Sequence, residues 1–197
     1  GMARGLLSGS GLPIYRHARK KALREADLVI LAGVPCDFRL DYGRHINHKA
    51  NIISINLSRE DLYMNRKPTL GILADPGMFI ISLSQAYKQN NWKNWQRILL
   101  DREQQRNDEI SHQAEEKTEF INPLKICIAL NQHIQEGDKI VADGGDFVAT
   151  ASYILQPRSL SGWLDPGIFG TLGVGAGFAM GAQLTHPESV VWAIYGD

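Results

Sequence analysis

The sequence predicts an α/β fold built from parallel sheets with helices on both faces. The main support is two almost wholly apolar runs of strand length, at residues 28–34 (LVILAGV) and 190–195 (VVWAIY), together with residues 51–57 (NIISINL), which repeat the strand signal. Apolar runs of this kind are typical of parallel strands buried on both faces. Helical patterns lie between the runs, so we expect two partial α/β domains within the 197 residues.

The composition argues against several classes of function. Lysine and arginine together number 21, as do aspartate and glutamate, so the formal net charge is zero. No basic field therefore favours nucleic acid as a partner. Cys36 and Cys127 lie far apart, without a second Cys or a His at ligand spacing, so we expect two buried thiols and no zinc site or disulfide.

The first half of the chain carries clear element boundaries. Residues 18–25 form a basic helix pattern with solvated charges, and the first strand follows it directly. A second helix is expected over residues 75–87, with Asp75 as its N-cap and Pro76 as its first helical residue.

The loop after the first strand (residues 36–49) emerges at a carboxyl end, where doubly wound sheets place ligand loops. Two interpretations of Arg39, Asp41 and Arg44 in this loop stay open. They bind a phosphate-bearing ligand, or they form an exposed salt-bridged loop. His45 and His48 are expected to be solvated.

The second half begins with a long charged helix pattern over residues 92–117, which we expect to be a surface or bridging helix. Another helix begins after it, with Asn122 as N-cap and Pro123 as first residue. The next strand is predicted at residues 139–142, followed by a loop at residues 143–146. The expected division is therefore a first domain (1–88), a helical linker (89–121) and a second domain (122–197).

Five glycines crowd residues 170–181, a segment that otherwise looks helical: Gly170, Gly173, Gly175, Gly177 and Gly181. Three of them, at 173, 177 and 181, recur with helical spacing, so one helix face is expected to carry no side chains and to admit a backbone or a flat ligand. Tight helix packing alone would explain the same spacing. A membrane helix over residues 167–184 is disfavoured by the low hydrophobicity of its many glycines.

Asp197 follows Gly196 at the carboxyl end of the last strand. A carboxylate in that position can hold Mg²⁺ against a diphosphate, because Mg²⁺ prefers oxygen ligands. A plain turn is the alternative for an isolated Gly-Asp pair. The upstream glycine segment makes the cofactor interpretation the stronger one.

These motifs resemble the cofactor domain of thiamine diphosphate (thiamine pyrophosphate) enzymes. GTLGVGAGFAMGA at residues 170–182, followed by VVWAIYGD, is similar to the family pattern GTMGxGxGxAxGA, a strand, GDG and a later NN. Leu172 stands where Met is usual, and the sequence stops after GD. ADGGDF at residues 142–147 stands where relatives carry a diphosphate-contacting loop, and CDFRLDYGR at residues 36–44 resembles acyl-CoA-handling members.

The resemblance implies what each motif does. The first domain would be the later part of a Rossmann-like central domain, and the second the earlier part of the diphosphate-binding domain. Asp197 would be the metal ligand, Gly170 would offer its carbonyl to the aminopyrimidine, and Leu172 would wedge beneath the bent cofactor. The implied cofactor-binding residues are Gly144, Gly145, Asp146, Gly170, Thr171, Leu172 and Gly196. No catalytic residue is expected in this chain, because the family's glutamate comes from an earlier domain.

The implied activity is a thiamine-diphosphate- and Mg²⁺-dependent carbon–carbon lyase that cleaves a 2-hydroxyacyl-CoA into a shortened aldehyde and formyl-CoA. An acetolactate synthase-type carboligase and a non-catalytic interaction domain are the alternatives. FAD, or ADP or the adenosine of CoA, is a further ligand implied for the central domain. We expect a piece of a longer protein that forms a homodimer or homotetramer, at the endoplasmic reticulum membrane or else in the cytoplasm.

Overall fold

The computed structural model describes residues 17–87 and 92–196. Two compact units make up the chain, one formed by Ala18–Leu99 and the other by the residues from Leu100 onward together with His17. Each unit contains a three-stranded sheet in which all strand pairs are parallel. The predicted α/β class with parallel sheets is confirmed.

The first unit alternates helices and strands. In chain order its elements are α1 (Arg19–Glu25), β1 (Leu28–Ala32), β2 (Asn51–Asn56), α2 (Arg59–Tyr63), β3 (Leu70–Leu73) and α3 (Pro76–Ala86). A stretch of 3-10 turns over Phe38–Gly43 follows β1. The strand order is β1-β2-β3, with Leu28 opposite Asn51 and Ile53 opposite Leu70.

A long helix, α4 (Lys93–Ala114), connects the two sheets along the chain. The second sheet's elements are α5 (Pro123–His133), β4 (Lys139–Ala142), α6 (Asp146–Ile154), β5 (Trp163–Leu164), α7 (Gly175–Thr185) and β6 (Val191–Ile194). The strand order is β5-β4-β6, so β4 lies in the middle, and every residue of β4 is buried.

Two helix starts follow from local sequence chemistry. The Asp75 carboxylate accepts a hydrogen bond from the Met78 N–H, and Asn122 accepts one from the Leu124 N–H. A proline follows each cap as the first helical residue, where its missing N–H removes no helical hydrogen bond. Both predicted boundaries are confirmed.

Each unit has its own apolar core. The first is formed by Val29, Leu31, Cys36, Leu40, Ile46, Ala50 and Ile52. The second includes Ile110, Cys127, Ile134, Ile140, Ala142, Val148, Ala151, Ile154, Leu155, Trp163 and Ile194. Both cysteines are free and buried, as predicted, and burial raises the pKa of the Cys127 thiol to about 11.

The prediction that the apolar runs are buried on both faces is wrong for β1 and β6. Leu28 and Ile30 point away from the core and are 46% and 42% exposed. β6 lies at the edge of its sheet rather than in its centre, and Ala193 is exposed. Among the described residues, each of these strands packs against the core with one face and leaves the other face exposed. A continuous apolar run therefore does not ensure that both faces of a strand are buried.

The glycine-striped helix also differs from the prediction. Helix α7 begins at Gly175, so Gly173 lies before it, in a turn with a φ of +83°. Gly177 and Gly181 do lie on the helix, and a Cβ added at either would meet no atom within 4 Å. The side-chain-free face is therefore shorter than the spacing predicts.

None of the helices within residues 17–87 and 92–196 has both the length and the apolarity needed to cross a membrane.

Candidate cofactor site

Three segments meet at the carboxyl edge of the second sheet. The DGGD loop (residues 143–146) follows β4, Tyr195 and Gly196 follow β6, and the glycine turn (residues 170–174) leads into α7. Because parallel strands end at the same edge, the first two segments are neighbours by topology. Contacts of Leu172 and Gly175 bring the glycine turn to the same place.

The DGGD loop and Gly196 approach each other at backbone distance. A Cβ added to Gly196 would lie 2.8 Å from the Gly144 carbonyl oxygen, and one added to Gly145 would lie 3.5 Å from the Gly196 Cα. A contact of 2.8 Å with backbone cannot be relieved by rotating a side chain, so residue 196 must be glycine in this arrangement. Gly145 and Gly196 thus place no side chain of their own where the predicted diphosphate would lie.

Leu172 reaches from the glycine turn onto the DGGD loop. A Cβ added to Gly144 would overlap the Cδ2 of Leu172, so the leucine occupies the space that a side chain at 144 would need. Leu172 is nevertheless 69% exposed, which leaves most of its surface available for contact. The wedge role that the family resemblance implies for Leu172 stays a prediction.

Gly170 and Thr171 lie on the exposed side of the glycine turn. Gly170 has a left-handed backbone, with φ 58° and ψ 25°, and a Cβ added there would meet no atom within 4 Å. The space beside Gly170 is therefore open within the described residues.

Asp143 joins the DGGD loop to the glycine turn. Its Oδ2 accepts a hydrogen bond from the Gly173 N–H at 3.0 Å, and its Oδ1 accepts one from the Gly175 N–H at 2.8 Å. These two donors, Gly173 first, hold the pKa of the Asp143 carboxyl below its usual value. The carboxylate is accordingly ionised at neutral pH. The N–H groups that Asp143 accepts from belong to a segment 30 and 32 residues further along the chain.

Asp165, which sequence reasoning did not single out, orders the residues ahead of the glycine turn. Its Oδ2 accepts from the Trp163 Nε1–H at 2.6 Å, and its Oδ1 accepts from the Gly167 N–H at 2.9 Å. The indole of Trp163 is buried in the core, so the approach to Gly170 is tied to a fixed point.

The amino end of α6 suits a diphosphate. Its N-cap, Gly145, has no side chain that could accept a hydrogen bond from the first helical turn. Uncapped N–H groups at a helix start, together with the helix dipole, are an anion-binding arrangement. Asp146 occupies the first turn of α6 and is exposed. The residues present therefore fit the diphosphate of the predicted cofactor, with Asp146 as one negative charge at the rim.

The predicted metal ligand, Asp197, lies outside the described residues. Within the part of the chain that the structure describes, no three His, Cys, Asp or Glu side chains gather as a metal site requires. The Mg²⁺ assignment to Asp197 stays a prediction from the sequence.

The loop after β1 is salt-bridged. Arg39 donates from Nη2 to Asp37 Oδ2 at 2.7 Å, and this pairing lowers the pKa of the Asp37 carboxyl. Arg44 pairs with Asp41, and the His45 Nε2 lies 3.6 Å from the Asp41 Oδ2.

His45 is largely buried, with a side chain that is only 19% exposed. The prediction that it is solvated is wrong, because Asp41 holds the ring against the loop. His48 is exposed, as predicted.

A basic cavity of about 560 Å³ lies beside that loop. Its lining residues are Arg24, Tyr42, Gly43, Arg44, Ile46, Asn47, His48, Asn65 and Arg66. Arg66 donates to the carbonyl oxygens of Gly43, Ile46 and Asn47 and so serves as a scaffold for the loop. Arg39 does not line the cavity, whereas Arg44 does.

Comparisons with known proteins agree with this geometry. The model of the thiamine pyrophosphate enzyme central domain matches residues 6–83, and the model of the C-terminal TPP binding domain of the same enzymes matches residues 143–197. Together the two matches cover most of the chain, and the second includes the DGGD loop and the glycine turn.

Similar proteins carry related names. A 2-hydroxyacyl-CoA lyase 2 from Danio rerio is 47% identical across all of this chain, which covers 33% of that protein. The Homo sapiens protein of the same name is 40% identical, again over the whole chain and 32% of its own length. An acetolactate synthase large subunit IlvG from Mycobacterium tuberculosis is 28% identical over the whole chain and 36% of its length. The chain thus spans about a third of these relatives, and it belongs to the thiamine pyrophosphate enzyme family.

Proposed function

We propose that the full-length protein is a thiamine-diphosphate- and Mg²⁺-dependent lyase that cleaves 2-hydroxyacyl-CoA into a shortened aldehyde and formyl-CoA. The observation that carries the cofactor assignment is the meeting of the DGGD loop, the glycine turn and Gly196 beside the uncapped start of α6. The substrate assignment is supported by relatives named 2-hydroxyacyl-CoA lyase 2, which match the whole chain at 40–47% identity.

The diphosphate end of the cofactor is held by backbone in this proposal. Gly144, Gly145 and Gly196 keep side chains out of the edge, and the first N–H groups of α6 donate to phosphate oxygens. Asp197 supplies a carboxylate oxygen for the Mg²⁺ that neutralises the diphosphate. Asp146 follows Gly145 directly, and a bare carboxylate beside the phosphates would repel them. We therefore expect water or the Mg²⁺ to lie between the Asp146 carboxylate and the phosphate oxygens.

In this proposal the glycine turn contacts the aminopyrimidine end of the cofactor. Gly170 presents its carbonyl to the aminopyrimidine from an open left-handed bend, with the exposed Thr171 beside it. Leu172 fills the space between the turn and Gly144, where it supports the bent cofactor. When bound, thiamine diphosphate supplies a nucleophilic carbon that attacks the substrate and accepts its electron pair.

The overall reaction breaks the bond between C1 and C2 of the 2-hydroxyacyl group. The C2 hydroxyl loses its proton as the aldehyde forms, and C1 gains a proton to give formyl-CoA. We assign neither proton transfer to this chain, because the family's glutamate is expected in a domain that precedes it.

An acetolactate synthase-type carboligase is the second candidate. The 28% identity over the whole chain to proteins named acetolactate synthase supports it. Both reactions use the same cofactor residues, so the residues of this chain favour neither.

The two activities are separated by their products. We expect full-length protein with thiamine diphosphate and Mg²⁺ to release formyl-CoA from a long-chain 2-hydroxyacyl-CoA and to make little acetolactate from pyruvate. Mass spectrometry of both incubations measures this. Efficient acetolactate formation without acyl-CoA cleavage would contradict the lyase proposal and leave the cofactor assignment intact.

The basic cavity of the first unit is proposed to hold an adenine nucleotide, either FAD or the ADP part of CoA. Arg24 and Arg44 both line it with exposed guanidinium groups, which suit phosphate. Arg44 also pairs with Asp41, but it lines the cavity, whereas Arg39 pairs with Asp37 and does not line it.

Replacing Arg24 or Arg44 by alanine should weaken ADP binding about tenfold, because each change removes one charge-assisted contact. Titration calorimetry with ADP and with FAD measures this. Lys20→Ala, which removes an exposed charge from the same helix as Arg24, should leave the affinity unchanged. Equal losses in all three variants would point to general charge attraction instead of a site.

We further propose a homodimer or homotetramer located at the endoplasmic reticulum membrane, with a cytoplasmic location as the alternative. Both statements come from the family resemblance. Cell fractionation and the solution mass of the full-length protein test them.

A further inference from the structure

Asp143 occupies the point where the three segments of the cofactor site meet. It follows the buried central strand β4, and its own N–H donates to the Ile194 carbonyl oxygen at 3.0 Å. The backbone of Asp143 is therefore fixed between β4 and the end of β6.

Both carboxylate oxygens of Asp143 accept hydrogen bonds from one segment, the end of the glycine turn and the start of α7. The two N–H groups that it accepts from, those of Gly173 and Gly175, lie 30 and 32 residues further along the chain. The contact is close, since a Cβ added to Gly175 would lie 3.0 Å from the Asp143 Cβ. One carboxylate thus fastens the end of the glycine turn to the central strand.

The residue next to Asp143 completes this link. Gly144 lies directly under Leu172, so the turn is held at Gly173 and Gly175 by hydrogen bonds and at Leu172 by packing. A Cβ added to Gly170, in contrast, would meet no atom of the described residues within 4 Å. The position of the Gly170 carbonyl therefore depends on the two anchors beside it, Asp165 ahead of the turn and Asp143 at its end.

We propose that Asp143 is a positioning residue that presents Gly170 and Leu172 to thiamine diphosphate, an inference that rests on the proposed cofactor function. It acts through the N–H groups of Gly173 and Gly175 and does not contact the cofactor itself. Ordinary helix capping differs in kind: the Asp75 carboxylate accepts from Met78 within its own helix start and links no distant segments.

The test compares Asp143→Asn and Asp143→Ala in the full-length protein. Asparagine keeps one acceptor oxygen in the same shape, and alanine keeps none. We expect the affinity for thiamine diphosphate to fall about tenfold for the asparagine variant and about 100-fold for the alanine variant, because charge-assisted hydrogen bonds are lost in turn. Titration calorimetry in excess Mg²⁺ measures the affinities.

Hydrogen exchange without cofactor gives a second readout. The amides of Gly173 and Gly175 should exchange more than about tenfold faster in Asp143→Ala, while amides of β4 and α5 keep their protection. Asp75→Ala is the matched control, because it removes a carboxylate that accepts a backbone N–H at another helix start. It should lower the melting temperature and leave the affinity for thiamine diphosphate unchanged.

Two outcomes overturn the positioning role. One is wild-type affinity in both Asp143 variants, and the other is faster exchange spread across the whole second sheet, which would indicate a role in folding alone. A wild-type protein that fails to bind thiamine diphosphate would instead overturn the proposed function.

Discussion

Replacing Asp197 by alanine in the full-length protein should abolish Mg²⁺-dependent binding of thiamine diphosphate. The carboxylate follows Gly196, whose backbone lies against the Gly144 carbonyl at the same edge as the start of α6. Without Asp197, Mg²⁺ would lose a charged oxygen ligand next to the diphosphate. We expect the affinity for thiamine diphosphate to fall at least about 100-fold. Even the loss of a residue that only hydrogen-bonds to a metal ligand typically lowers metal affinity about 10- to 100-fold.

Titration calorimetry with and without Mg²⁺ measures this loss. Asp108→Ala is the control, because it removes an exposed carboxylate on α4 that accepts a hydrogen bond from the Gln104 side chain. An Asp197→Ala protein that binds the cofactor as tightly as the wild type, and with the same Mg²⁺ dependence, would remove the metal assignment.

Replacing Gly170 by leucine should eliminate turnover and weaken thiamine diphosphate binding at least about 100-fold. No atom of the described residues lies within 4 Å of a Cβ at this position, so we expect an added side chain to meet the cofactor rather than the fold. Leucine is strained at the left-handed φ of 58°, which should lower the free energy of unfolding by about 1–2 kcal/mol. The expected pattern is a small loss of stability with a large loss of binding.

Gly137→Leu is the matched control for this prediction. Gly137 also has a positive φ, of 93°, and a Cβ there would likewise meet no atom within 4 Å. It lies before β4, at the opposite end of that strand from the DGGD loop. If both variants lose stability and only Gly170→Leu loses the cofactor, the pocket assignment holds. If Gly170→Leu unfolds while Gly137→Leu does not, the glycine serves packing.

Much of the fold could be predicted because its signals are local. The caps at Asp75 and Asn122 need only a side chain and the next turn of the chain, and β4 was predicted at its observed bounds, Lys139–Ala142. The edge position of β6 could not be predicted in this way. An apolar run indicates burial, but the order of strands in a sheet depends on the whole topology.

The contacts that build the site join residues far apart in the chain, and local sequence patterns therefore did not predict them. Asp143 and Gly175 are 32 residues apart, and Arg66 holds carbonyl oxygens about 20 residues before it. The family motif predicts which glycines contact the cofactor without showing what holds them. His45 was assigned to solvent because nothing in the sequence shows that Asp41 turns back towards its ring.

The most direct test of the cofactor assignment is an experimental structure of the full-length protein with thiamine diphosphate and Mg²⁺. We expect density for the diphosphate at the start of α6, beside Gly144, Gly145 and Gly196, with Mg²⁺ between it and Asp197. The aminopyrimidine should lie against the Gly170 carbonyl. Cofactor density at another place, or a glycine turn that contacts no cofactor, would contradict the account.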